Sequence, residues 1–248
     1  IHGSDLNVHA AQNTGQSAKI AGVLERAGAV MTVGKALADK ATAMVSDPGK
    51  VVVVPNGTHF DQVMPAPDTE LADIFSGRFV VAAVGSLVPT KGYDLLLSAA
   101  AGVRNVIPNL AVVIAGDGVE RERLETMVRD LGLSDCVHFL GQLPRSEVFR
   151  YLSIADVFAL PSWSEGFGIV YLEALAHGLP VIACQGQGPS DFVEHGVHGF
   201  LVEPRAVAPV TDALVYLHHH PEVTVAMAQA GPERVMSTST WTKNAEQV

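Results

Sequence analysis

"PSWSEGFGIVYLEALAHGLPVIA", residues 161–183, links two apolar stretches through a glycine-containing loop and an apolar helical segment. Outward from it, "DVFALPS" (156–162) and "PVIAC" (180–184) read as buried strands. A helix is predicted from near Gly168 to Gly178, which serves as a glycine C-cap ahead of Pro180. Strand, helix, strand is a parallel β/α unit, and in an open parallel sheet ligands meet the carboxyl ends of the strands, where loops enter helix N-termini. Glu165 and Glu173 stand eight positions apart in a segment otherwise almost free of charge. Glu165 falls in the loop. Glu173 sits in the helix, roughly 7.5 Å along its axis at ~1.5 Å per residue. With a diphosphate on the helix N-terminus, Glu165 is placed toward a sugar and Glu173 toward a ribose, so the two carboxylates bracket a sugar nucleotide. The blander reading makes Glu165 a favourable charge at the helix dipole and Glu173 an exposed helix residue. Flanks as apolar as "GIVYL" and "ALA" argue against exposure.

The same rhythm fills the chain. "VVVVP" (51–55), "FVVAAVG" (79–85), "LAVVIAG" (110–116), "VHFLG" (137–141) and "GFLVE" (199–203) alternate with helical patterns, which predicts an α/β fold with helices on both faces of a parallel sheet. Residues 55–77 break the rhythm with three prolines and have the composition of a connector. Residues 18–54 supply two helix–strand units, too few for a complete sheet; residues 78–230 hold about six strands, enough for a doubly wound domain. "IHGSD" (1–5) reads like the end of a strand entering a loop, and "STSTWTKNAEQV" (237–248) like the start of a helix. The chain is expected to be a fragment.

Composition narrows the chemistry. Of 248 residues, 48% are hydrophobic and 17% charged, with a formal net charge of −10. Such a balance argues against a nucleic-acid face, and an anionic ligand must rely on a few local cations and backbone amides. Cys136 and Cys184 lack paired spacing, so buried reduced thiols in a cytoplasmic protein are expected rather than a disulfide or zinc site. No apolar run approaches the ~18 residues of a membrane span. His218–His220 diverge by about 100° per helix position and cannot converge on a metal. His2, His59, His138, His177, His195 and His198 are scattered, without a local carboxylate arrangement that marks a triad. Lys91, between a strand–loop unit and the helical "YDLLLSAAAGV", suits a phosphate ligand; its alternative is an exposed loop lysine. "GSLVPTKG" (85–92) is not a Walker A loop, and "GDGVER" (116–121) lacks the dinucleotide fingerprint.

With the loops placed, the chain resembles the retaining nucleotide-sugar transferases of glycosyltransferase family four, whose fold is the two-domain, Rossmann-like GT-B type. "VGSLVPTKG", "VVIAGDG", "VHFLGQLP", "ADVFALPSWSEGFGIVYLEALAHGLPVIA" and "GVHGFLV" follow the family's order and spacing, and "VVVVPNGTHF" matches the approach to its interdomain hinge. The resemblance implies a remnant of the N-terminal acceptor-side domain over 1–54, a connector over 55–77, a donor-binding domain over 78–232 and the start of a crossover helix over 233–248. It implies that Glu165 and Lys91 are catalytic, Glu165 on the sugar hydroxyls and Lys91 on the diphosphate. Phe167, Gly168 and Ile169 are implied to offer amides to sugar and phosphate, Glu173 to bind the ribose, Val137, Phe139 and Leu140 to line the base pocket, and Gly116 and Gly118 to keep the cleft floor open. Ser86 stands where the family commonly has Arg; either another cation compensates, Arg145 or an arginine of the missing domain being the candidates, or the enzyme is slower.

A UDP or GDP sugar is the implied donor, with no obligatory metal or other cofactor. A glycan, lipid or small-molecule hydroxyl is the implied acceptor, with no nucleic-acid partner. Membrane contact is implied to lie on the absent first domain, and the setting to be cytoplasmic or at the inner face of a membrane, as in bacterial polysaccharide or glycolipid synthesis. A non-catalytic nucleotide-sugar-binding module and a same-fold sugar phosphorylase or epimerase remain as alternatives.

Overall fold

β-branched runs with no charge pair best when buried on both faces, and they form the centre of this molecule. The structure, a computed structural model, describes residue 6 and residues 14–58, 68–239 and 241. The readings of residues 1–5, His2, His59, the middle of the connector and residues 242–248 lie outside the described residues. Six parallel strands make the main sheet: β3 (Phe79–Val84), β4 (Leu110–Ala115), β5 (Val137–Gly141), β6 (Val157–Ala159), β7 (Val181–Cys184) and β8 (Gly199–Val202). Their order is β5-β4-β3-β6-β7-β8. Strand order therefore reverses between β3 and β6, the position at which a crevice opens in such sheets. A separate parallel pair, β1 (Val30–Thr32) and β2 (Val51–Val53), sets Met31 beside Val52. It follows α1 (Thr14–Arg26) and encloses α2 (Lys35–Thr42), in line with two helix–strand units.

Each strand of the main sheet feeds a helix or turn. These are α4 (Tyr93–Val103) after β3, α5 (Arg121–Asp130) after β4, α6 (Arg145–Leu152) after β5, α7 (Ile169–Ala176) after β6, the 3-10 turn Gly188–Asp191 after β7, and α8 (Ala208–His219) after β8. The last helix is α9 (Pro221–Thr238). α4 packs against α5 and α8, and α7 against α9. All six residues of β4 and all four of β7 are buried, which requires cover on both faces. Cys136 and Cys184 are buried and unpaired, and burial pushes the Cys184 thiol up to about 11. His218 and His219 end α8, where imidazoles sit well against the helix dipole. Among the described residues no helix is long and apolar enough to cross a membrane.

Two expectations need correction. The proline-rich connector contains a helix, α3 (Thr69–Ile74), started by Asp68, whose Oδ1 accepts the Leu71 amide at 2.9 Å. Arg150 of α6 ties Asp68 in place by an ion pair. Asp68 followed by Thr69 and Glu70 is an N-cap signal that the surrounding prolines outweighed. The boundary expected between 232 and 233 falls inside α9, which runs through Pro232. That helix is anchored by its tertiary contact: a Cβ on Gly231 would lie 2.7 Å from the Leu175 carbonyl oxygen of α7.

Candidate active site

Because β3 and β6 are neighbours, the loops that follow them face one another. Thr90, after β3, accepts through its carbonyl from the Trp163 amide at 3.0 Å and the Ser162 hydroxyl at 3.1 Å, which joins the two loops. Between them lies a cleft of about 680 Å³, lined by Ser86, Lys91, Glu165, Phe167, Gly168, Ile169 and Glu173, with Arg145 of α6 on the far wall. Val33 and Asn56, from the segment before the main sheet, also contribute to the lining.

Two carboxylate–cation pairs carry its charge. Lys91 Nζ donates to Glu165 Oε2 at 2.5 Å, with only 21% and 13% of the two side chains exposed. Glu165 Oε1 accepts the Gly166 amide at 3.1 Å. The main chain of Glu165 is held as well, its N–H by Gln187 Oε1 and its carbonyl by the Gly188 amide, both at 3.1 Å. On the other wall, Arg145 Nη2 lies 2.7 Å from Glu173 Oε1. Glu173 is 8% exposed, as its apolar flanks require. Burial raises its pKa, and the Arg145 charge offsets part of that rise.

Two phenols fix the floor. Tyr93 donates to the Gly85 carbonyl at 2.8 Å and Tyr171 to the Leu160 carbonyl at 2.5 Å. Burial, with Glu165 nearby, raises both pKa values, so they remain neutral donors. At the far end of α7, His177 Nδ1 donates to the Glu173 carbonyl at 2.8 Å while its buried Nε2 has no partner. Burial lowers its pKa and keeps the ring neutral. Among the described residues no three His, Cys, Asp or Glu side chains gather closely enough to hold a metal ion.

The remaining site residues fall differently from expectation. Gly116 and Gly118 permit close backbone contact, and Gly116 also lines the cavity that adjoins the cleft. A Cβ would sit 2.0 Å from the Gly85 carbonyl oxygen in the first case and 2.5 Å from that of Leu87 in the second. Val137, Phe139 and Leu140 line neither the main cleft nor the adjoining cavity of about 300 Å³, whose wall beyond β5 is Gln142 and Leu143. Val137 and Phe139 are paired along β4, and the Phe139 ring takes the Arg121 guanidinium at 4.8 Å. Leu140 opens instead on a third cavity with His138 and Tyr151. Only residues after Gly141 pass the end of the strand. Arg145, a candidate counter-ion in place of the arginine missing at Ser86, pairs with Glu173, and nothing local in "LPRSE" signals that contact.

A second link joins the early segment to the cleft. Asp191 Oδ2 accepts the Lys35 amide, the first N–H of α2, at 2.7 Å. Gly34, the N-cap of α2, supplies no side-chain cap of its own. A Cβ there would lie 2.9 Å from that carboxylate and 3.2 Å from the Gly166 carbonyl oxygen.

A crevice at the strand reversal, beside a helix N-terminus and lined by paired carboxylates and cations, is where Rossmann-like sheets take their ligands, anionic ones included. The family model for glycosyl transferases group 1 matches residues 70–234, and the chain belongs to that family. It is 36% identical over 199 residues to a GDP-mannose-dependent alpha-(1-6)-phosphatidylinositol monomannoside mannosyltransferase of Mycobacterium tuberculosis, covering 76% of this chain and 52% of that protein. It is 36% identical over 208 residues to a D-inositol 3-phosphate glycosyltransferase of Corynebacterium jeikeium, covering 78% and 49%. The chain thus spans about half the length of these curated relatives. Among solved structures, a sucrose-phosphate synthase from Thermosynechococcus elongatus aligns with a TM-score of 0.86 at 27% identity, over 98% of this chain and 62% of that one. The Anabaena HepE protein in complex with UDP-glucose aligns with a TM-score of 0.90 at 22% identity, over 98% and 68%, a likeness of fold.

Proposed function

We propose that the intact protein is a retaining glycosyltransferase that moves a sugar from a nucleoside diphosphate sugar to a hydroxyl acceptor, and that this chain carries its donor site. The observation that carries the reading is the cleft itself: Lys91 and Glu165 in contact at the mouth of α7, with Glu173 buried one and a half turns further in. In this reading the diphosphate rests on the N-terminus of α7 beside Lys91 Nζ, where the helix dipole and the ammonium stabilise the charge of the leaving group. Glu165 accepts from hydroxyls of the sugar and Glu173 from those of the ribose. The oxygen of the departing diphosphate takes the acceptor proton on the same face of the sugar, without an obligatory metal. Residues 1–54 belong to the acceptor-side half, and the cytoplasmic side of a membrane is the proposed setting.

GDP-mannose-dependent relatives at 36% identity favour a GDP sugar as the first donor to try. The test is GDP release from GDP-mannose by the full-length protein, with and without magnesium, and with D-inositol 3-phosphate as trial acceptor. Metal-independent release that falls on the order of 10²-fold in Lys91→Ala is expected. Undiminished release in that variant removes Lys91 from the mechanism. Absence of nucleotide binding by the 248-residue chain, checked by titration calorimetry with GDP and UDP, sinks the donor-site reading.

A further inference from the structure

The two cations lining the cleft are not equivalent. Lys91 meets Glu165 on the loop side, whereas Arg145 reaches across from α6 to Glu173, which belongs to α7. Three contacts define where the guanidinium sits. Its Nη2 lies 2.7 Å from Glu173 Oε1 and donates to Thr58 Oγ1 at 3.4 Å. Its carbon stands 5.0 Å from the centre of the Phe149 ring, so the ring face supports the charge. Thr58 is itself fixed, being 1% exposed with its amide donating to the Ser239 carbonyl at 2.8 Å. Arg145 thus has a built seat, although 47% of its side chain is exposed.

A carboxylate binds a vicinal diol well when each oxygen receives one hydroxyl, which demands a fixed carboxylate plane and a full negative charge. Glu173 gains both from Arg145: the guanidinium anchors Oε1 and its charge opposes the cost of burial. Among the described residues the other charged groups of the cleft do not serve this carboxylate. Lys91 and Glu165 are paired with one another, and His177 bonds the main-chain carbonyl of Glu173 rather than its side chain. We propose that Arg145 is a positioning residue that presents the Glu173 carboxylate to the 2′- and 3′-hydroxyls of the donor ribose, and so makes the cleft selective for ribonucleotides. This rests on the donor-site reading above. It assigns Arg145 to diol recognition rather than to neutralising the diphosphate.

The experiment is calorimetric titration of the 248-residue chain with GDP or UDP, whichever binds, and with the 2′,3′-dideoxy form of the same nucleotide. The parent is expected to prefer the ribonucleotide by about tenfold or more, the worth of charge-assisted hydrogen bonds. Arg145→Ala should cost about tenfold in ribonucleotide affinity and leave dideoxynucleotide affinity within about twofold. Arg145→Lys, which keeps the charge, should retain most of the preference. The Arg145→Ala deficit should also shrink as pH rises, because alkali restores a carboxylate whose protonation the guanidinium had opposed. A purely structural residue gives no such pH signature.

Equal losses for both nucleotides in Arg145→Ala overturn the proposal in favour of a phosphate contact, and no loss in either overturns it outright. A parent that binds both nucleotides equally removes Glu173 from ribose recognition, and the role of Arg145 falls with it. A parent that binds neither refutes the donor-site reading itself. Thermal unfolding of each variant confirms that the comparison is between folded proteins.

Discussion

Glu173 shows how a single buried carboxylate trades stability for a site. Burial raises its pKa despite Arg145, so between the ordinary carboxylate value, about 4.3, and the raised one the folded protein holds a proton that the unfolded chain has released. Stability therefore falls as pH rises through that interval. Glu173→Gln keeps the shape and removes the charge. Its unfolding free energy at pH 7, measured in denaturant, should exceed that of the parent, and the difference should shrink as the pH is lowered toward about 4.3. The same variant should lose ribonucleotide affinity. A variant less stable than the parent at pH 7 would mean that the ion pair outweighs the burial of the charge. Glu165, tied to Lys91 in the outer part of the cleft, behaves differently. Glu165→Gln is expected to leave nucleotide affinity near the parent value while turnover falls, because the proposed donor pose puts its hydroxyl contacts on the transferred sugar.

At the scale of elements, the entry to α7 depends on one glycine. Gly168 is the N-cap at φ 90°, and a Cβ there would fall 2.6 Å from Cδ2 of Tyr171, a fully buried ring anchored on the Leu160 carbonyl. Gly132 has φ 67° with nothing within 4 Å of an added Cβ. Gly132→Ala should therefore cost only the left-handed strain of about 1 kcal/mol, and Gly168→Ala about 2 kcal/mol more from the blocked ring. Equal costs would mean that Tyr171 can move aside. The strand–loop–helix units around Gly168, Glu165, Glu173 and Lys91 were legible because each is written locally, in apolar runs closed by glycine and proline. α3 was obscured because an N-cap at Asp68 competes with neighbouring prolines, and local composition cannot weigh the Arg150 ion pair that fixes it. The Arg145–Glu173 contact was illegible for a different reason. It depends on the helix after the edge strand β5 passing back toward β6, a fact of topology absent from either segment. The same topology places Gln142 and Leu143, rather than Val137, Phe139 and Leu140, at the cavity wall.

For the whole molecule, the decisive contacts are those between the segment before the main sheet and the cleft. Asp191 caps α2 from 156 positions away, and its turn is pressed on the loop that leads into α7, since a Cβ on Gly188 would stand 2.4 Å from Phe167 Cα. Lost N-caps cost about 1 kcal/mol. Asp191→Ala should lower stability by that amount and leave α7 intact, as read by denaturant unfolding; an unchanged midpoint would show that water replaces the carboxylate at no cost. The cap also has a use as an address. Lys35 carries its amide proton toward a carboxylate that reaches it only while the start of α2 is docked on the turn after β7. The rate at which that one proton exchanges for deuterium is therefore a clock for their separation, readable residue by residue in the native protein, with no label attached and no substitution made.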